Sequence, residues 1–173
     1  MVMKKLQASR SFLYFLIIFA FVGPACGIEE ETTLFVDIPI EETEATTYSG
    51  LETYNPRSNS TIEDNKDKID KVEVLEVKIF VDEVHSENAA TTLSDGALTI
   101  VGSGGETLEL SYSDLDLTDQ TEIELEDSEV KTLNSLLTKQ DTLTITVKGA
   151  VDAAPVKLDV RVSIKVKIEL SIL

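Results

Sequence analysis

The chain contains no tryptophan, one histidine and one cysteine among 173 residues. Each scarcity removes a class of chemistry. A single cysteine cannot form an intrachain disulfide, so a secreted cystine framework is excluded. Zinc sites draw on about three or four His, Cys or acidic ligands, and His85 with Cys26 is a poor start for one. A hydrolase triad sets a histidine between a nucleophile and a carboxylate. His85 alone could serve, but Asp82-Glu83-Val84-His85-Ser86 contains no nucleophile elbow. It reads as a surface residue at a strand end. A glycosidase needs two acids flanking its substrate, and with 32 acids present no pair stands out. The chain is therefore read as non-enzymatic, with no cofactor.

Positive charge is scarce as well. Fifteen Lys and Arg face 32 Asp and Glu, a formal net charge of −17. Such a surface repels phosphate backbones, which disfavours nucleic acid. It equally disfavours adsorption of the domain to anionic headgroups.

What is present begins at the N-terminus. Lys4, Lys5 and Arg10 precede an apolar run, FLYFLIIFAFVG over 12–23, which ends at Pro24-Ala25-Cys26-Gly27. A basic start, a short apolar core and small residues at its end make a secretory signal. The run falls short of the roughly 20 residues that span a bilayer. The stretch resembles the lipobox of bacterial lipoproteins, with Ala25 as the small residue before cysteine. Leu is missing three positions upstream, and Pro24 departs from the pattern. The resemblance covers only about the first 26 residues. It implies cleavage before Cys26, acylation of Cys26, and attachment to the membrane through that lipid at the cell envelope, on the outer membrane. Cleavage after Ala25 by an ordinary signal peptidase, or an uncleaved anchor, are the alternatives. Glu29-Glu30-Glu31 is similar to the surface-export signal of Bacteroidota lipoproteins, and a solvated tether reads equally well.

This divides the chain into a signal peptide over 1–25, an acidic tether over 26–32 and a folded domain over 33–173. Removing Lys4, Lys5 and Arg10 from the 15 basic residues leaves 12 against 32 acids, a formal −20 for the mature chain.

Period-two alternation dominates the domain. Leu34, Val36, Ile38 and Ile40 share one face of a first strand. Residues 41–70 are polar and carry Asn55-Pro56, the pattern of a long loop with Tyr48 and Tyr54 pointing outward and room for one short strand. In KVEVLEVKIFVDEV the apolar parity switches at Val74–Leu75, a bulge signal. Residues 97–112 read as a hairpin around Gly102-Ser103-Gly104-Gly105, and Ile123 with Leu125 as a short strand. Asp127 or Ser128 caps one helix whose apolar face is Val130, Leu133, Leu136 and Leu137. A strand follows at Leu143, Ile145 and Val147. From Val156 to Ile172 apolar and polar residues alternate without a break. At roughly 3.3 Å per residue a strand this long exceeds 50 Å, so it is expected to bend or serve two sheets. The pattern as a whole predicts an all-β fold, an antiparallel β-sandwich of about seven strands with one short helix.

Two acidic clusters have oxygen ligands at spacings that could suit calcium. They are Asp64, Asp67 and Asp70, and Asp114, Asp116 and Asp119. Neither matches an EF-hand loop, and solvated carboxylate is the plain reading. Lys148, Lys157, Arg161, Lys165 and Lys167 give the end of the chain five of the 12 basic residues of the mature form. They predict either cross-strand pairing with rows such as Glu122, Glu124 and Glu126 or a basic stripe for an acidic partner. On an edge strand such lysines would also discourage aggregation. The sequence thus points to a non-enzymatic envelope lipoprotein whose β-sandwich binds or scaffolds a protein or glycan. A fimbria-like subunit assembling by addition of its last strand, and a calcium-dependent adhesion or carbohydrate-binding module, are the other readings.

Overall fold

The computed structural model describes residues 28–171 other than 45, 119, 140 and 141. The alternating segments form β1 (Ile28–Glu42), β2 (Thr47–Tyr54), β3 (Ile69–Val84), β4 (Thr92–Gly102), β5 (Thr107–Tyr112), β6 (Leu115–Asp116), β7 (Gln120–Glu122), β8 (Leu143–Val151) and β9 (Val156–Leu170). Two helices interrupt them, α1 (Ser60–Asn65) and α2 (Asp127–Lys139).

The chain is a folded hairpin that has been rolled up. Its turn is the β4–β5 connection, where Gly105 takes a left-handed φ of 87°. Outward from that turn, β4 pairs with β5, β3 with β7, β2 with β8 and β1 with β9, all antiparallel. Two further pairings, β3 with β9 and β4 with β8, roll the ribbon into two sheets. Sheet I has the order β1-β9-β3-β7, and sheet II has the order β2-β8-β4-β5 with β6 beside β4. An antiparallel β-sandwich with this strand order is a jelly roll.

β9 lies at the centre of sheet I. All 15 of its residues pair with β1, from Val156 opposite Glu42 to Leu170 opposite Ile28. Its eight inward side chains, Val156 through Leu170 at every second position, are buried. Each contributes roughly 1.5–3 kcal/mol of gross burial energy. The strand stays within one sheet and has neighbours on both sides. It is neither shared between sheets nor an edge, so its lysines do not guard one. β3 reaches β9 with register shifts at Asp70, Leu75 and Asp82. The shift between Val74 and Glu76 is the bulge that the parity switch predicts.

Three expectations fail in the first half of the domain. Ile28–Thr32, read as tether, pair with β9 as the start of β1. Residues 41–70 are not a long loop: they hold the end of β1, β2, a 3-10 turn at Pro56–Ser58 and α1. Polar composition hid them because β2 turns only Tyr48 and Gly50 fully inward. Tyr48 points into the core, where it is 2 % exposed. The helix start also differs by one or two positions. Glu126 is the cap: its carbonyl accepts from Val130 N–H at 3.0 Å, and its N–H donates to Glu129 Oε2 at 2.7 Å. Leu133, Leu136 and Leu137 are buried beneath α2 as expected, with Val130 half-buried. The strand placed at Ile123 and Leu125 lies slightly earlier, at β7.

The three long strands of sheet I run 15 or 16 residues, while sheet II strands have at most 11. Helices cover the inner face that sheet II leaves. Ile62 of α1 and Leu137 of α2 line a recess of about 90 Å³ with Ile69 and Val72 of β3. Asn134 of α2 also seals the β3 edge ahead of β7, its Oδ1 accepting from Val74 N–H at 2.8 Å.

Within sheet II two tyrosines on outer strands meet over two glycines. Tyr48 pairs across from Gly149, and Tyr112 from Gly96. Their hydroxyls are 2.5 Å apart in the core. Burial raises both phenols above their ordinary pKa range, and the Tyr48 hydroxyl adds to the rise at Tyr112. A Cβ at Gly96 would lie 1.9 Å from the Tyr112 ring, so this ring takes the place of a side chain. Tyr48→Phe should strand the Tyr112 hydroxyl at a cost of about 1–3 kcal/mol. The Tyr48→Phe/Tyr112→Phe double variant should be less destabilised than the sum of the two single variants. Urea denaturation of the three proteins checks this, and strict additivity would refute the coupling.

Candidate functional site

The outer face of sheet I carries the densest chemistry among the described residues. Alternation along β9 sends Lys157, Arg161, Lys165 and Lys167 to solvent while the aliphatic set goes inward. The same parity on β1 sends out Glu29, Glu31, Phe35, Asp37 and Glu41. The sheet order places these rows side by side, with β3 carboxylates on the far flank.

The contacts follow register. Lys157 is directly opposite Glu41, and their charged atoms are 3.5 Å apart. Arg161 is directly opposite Asp37 and grips it with two hydrogen bonds, from Nε at 2.5 Å and Nη2 at 3.1 Å. Its Nη1 reaches Asp82 at 2.8 Å, and its guanidinium lies 5.7 Å from the centre of the Phe35 ring. Asp82 is the extra residue of a register shift, which helps carry its carboxylate to Arg161. The next two pairs are diagonal: Lys165 with Glu31 at 2.7 Å, and Lys167 with Glu29 at 3.9 Å. Lys167 also meets Glu73 of β3 at 3.3 Å.

These pairings set the protonation states. Hydrogen bonding to Asp37 raises Arg161, and hydrogen bonding to Glu31 raises Lys165. Glu73 is lowered, first by its hydrogen bond from Lys71 and then by that from Lys167. Arg161, Lys165 and Glu73 are thereby held in their charged forms. Such a face can fix register and present a patterned surface. Exposed pairs of this kind each contribute roughly 0.2–1 kcal/mol.

The basic row is thus paired within its own sheet, but its partners lie in β1 and β3. Glu122, Glu124 and Glu126 were the wrong rows because only β9's central place, which period-two patterning does not reveal, brings β1 beside it. Asp37 was detectable in part, since the alternation in Leu34-Phe35-Val36-Asp37-Ile38 already turns it outward. Lys148 lies apart on sheet II, 3.5 Å from Glu109.

The other nominated residues are dispersed. Asp64 is in α1, Asp67 follows it and Asp70 is in β3, all exposed. Asp114 is exposed before β6, and Asp116 belongs to β6. Asp119 and Cys26 lie outside the described residues. Among the described residues no three His, Cys, Asp or Glu side chains converge as metal ligands. His85 follows β3 and is half-buried, with Nδ1 3.7 Å from Glu83 and Nε2 3.8 Å from Asp159.

A carboxylate that sequence reading passed over is Asp152, in the β8–β9 turn. It accepts from Thr91 N–H at 2.8 Å, from Thr92 N–H at 3.1 Å and from the Thr91 hydroxyl. These bonds hold its pKa down to about 2.

No family model and no curated protein matches this chain. Solved structures of viral coat proteins are similar to it in shape. Turnip yellow mosaic virus gives a TM-score of 0.45 at 9% identity, covering 100% of this chain and 90% of that one. Desmodium yellow mottle tymovirus gives 0.41 at 11%, covering 87% and 93%. The decameric BFDV capsid protein gives 0.44 at 6%, covering 82% and 100%. Nothing about partners or activity follows from likeness at this level.

Two outcomes are expected here. Arg161→Ala should lower stability by about 1 kcal/mol, and Arg161→Lys should restore less than half of it because an ammonium lacks the planar fork. Denaturant midpoints test this, and a Lys variant equal to wild type would refute it. Asp152 binds its proton more weakly folded than unfolded, so its stabilisation is complete above the ordinary aspartate pKa and is lost as pH falls toward about 2. Asp152→Asn should therefore flatten the melting temperature against pH between about 4 and 2.

Proposed function

We propose that this protein is a lipid-anchored envelope protein whose β-sandwich acts as a non-enzymatic binding or scaffold module. One observation carries the reading: β1 already includes Ile28, two residues after Cys26, where the expected export signal would end. With cleavage before Cys26, the retained chain would pass from its lipid into β1 without a long spacer. Two residues reach at most about 7 Å, so a lipid on Cys26 would hold the start of sheet I close to the headgroups. The ion-paired outer face of sheet I then supplies a broad, patterned surface for a protein or glycan.

Addition of the last strand to a neighbouring subunit finds no support in β9, which already has a strand on each side. Labelling cells with a clickable palmitate analogue tests the anchor. The wild-type protein should take up label and partition with membranes, and Cys26→Ala should do neither. Equal labelling of both would overturn the proposal.

A further inference from the structure

β1 is an edge strand, and the direction of its free backbone groups can be read from two contacts. Thr33 O accepts from Asn59 Nδ2 at 3.4 Å, on the side away from β9. Pro39 O faces β2, since a Cβ at Gly50 would lie 2.8 Å from it. Both are odd positions, and the β1–β9 register is unbroken. In an antiparallel pair the N–H and C=O of one residue point the same way, and the direction alternates. Glu29, Glu31, Thr33, Phe35 and Asp37 therefore direct their backbone groups to the open edge. Among the described residues, the Asn59 side chain is the one hydrogen-bonding partner found there, and β2 closes the edge at Pro39.

The same five residues carry their side chains on the outer face. Glu29, Glu31 and Asp37 are each more than half exposed. Among the described residues, each has its cation on the β9 side and none on the other. Across the sheet the charge runs acidic on β1, largely basic on β9 and mixed but mostly acidic on β3. The open side of β1 is where the next basic row would continue that order. A second copy of this chain is the wrong occupant. Antiparallel pairing of two β1 edges about Thr33 would set Glu29 against Asp37, and like charges opposite one another are destabilising.

We propose that the Glu29–Asp37 edge of β1 receives an extended basic segment of a partner protein as an added strand, with alternate Lys or Arg side chains over the β1 carboxylates. This gives the binding reading above a partner class and rests on that reading, but not on the lipid at Cys26.

The test is fluorescence anisotropy of a short labelled peptide in which Lys alternates with Thr or Val, titrated with the full chain in zwitterionic detergent. The Lys peptide should bind, and more weakly as salt rises, while a counterpart with Glu in place of Lys should not. Thr33→Pro removes one outward N–H, a change that edge strands tolerate, and should weaken binding about tenfold or more. Glu29→Gln/Glu31→Gln should weaken it and flatten its salt dependence. If Thr33→Pro fails to fold, hydrogen exchange of the wild type decides: the Glu31 and Phe35 amides should gain protection on adding peptide. No binding of the Lys peptide, equal binding by a folded Thr33→Pro, or no gain of protection would each overturn the proposal. Failure here together with palmitate labelling at Cys26 would leave the anchor standing and remove only the added strand.

Discussion

Everything in sheet I is arranged around the unbroken alternation of β9. Side chains on a strand change face at every residue, so a slip of one position would put eight aliphatic residues in water and the lysines in the core. No such slip is affordable, and β9 accordingly fixes the register of its neighbours. β1 matches it residue for residue. β3 does not, and takes up the mismatch in extra residues at Asp70, Leu75 and Asp82. Leu75 ends up exposed and Asp82 at Arg161. The bulges are thus the accommodation of an irregular strand to a regular one.

What could be read from sequence was local, and what could not was pairing. β9, the β4–β5 turn and the Leu133-Leu136-Leu137 face follow from periodicities that a single segment carries within itself. The partners of β9 do not, because the strands beside it begin at Ile28 and Ile69, far from it along the chain. Being last in sequence made β9 look like an edge, whereas pairing the two arms of a folded hairpin puts its first and last strands together. β2 escaped for a different reason. Its inward positions include a glycine, Gly50, and a tyrosine, Tyr48, so the apolar half of the alternation is nearly silent.

The charge pattern of the candidate site changes meaning once the sheet order is known. Four cations in one stretch suggest a basic stripe seeking an acidic partner. Placed between two acidic strands, they are instead largely neutralised, and the outward-looking charge is that of β1 and β3. Within a chain of formal charge −17, the basic residues of β9 hold the acidic strands together. The surface left for recognition is acidic at its open edge, with Phe35 as its exposed aromatic.

The pairing of Ile28 with Leu170 also orders events in time. The strand made first must wait for the strand made last, because the central member of sheet I is the C-terminal one. Until Val156–Leu170 has been made, β1 and β3 have no common neighbour, and the backbone edges that face β9 remain unpaired. Sheet I therefore cannot close until β9 has been made, and its assembly depends on contacts between segments distant along the chain. A sheet in which β1 and β3 join only through β9 leaves these earlier strands without their lasting partner until that strand is available.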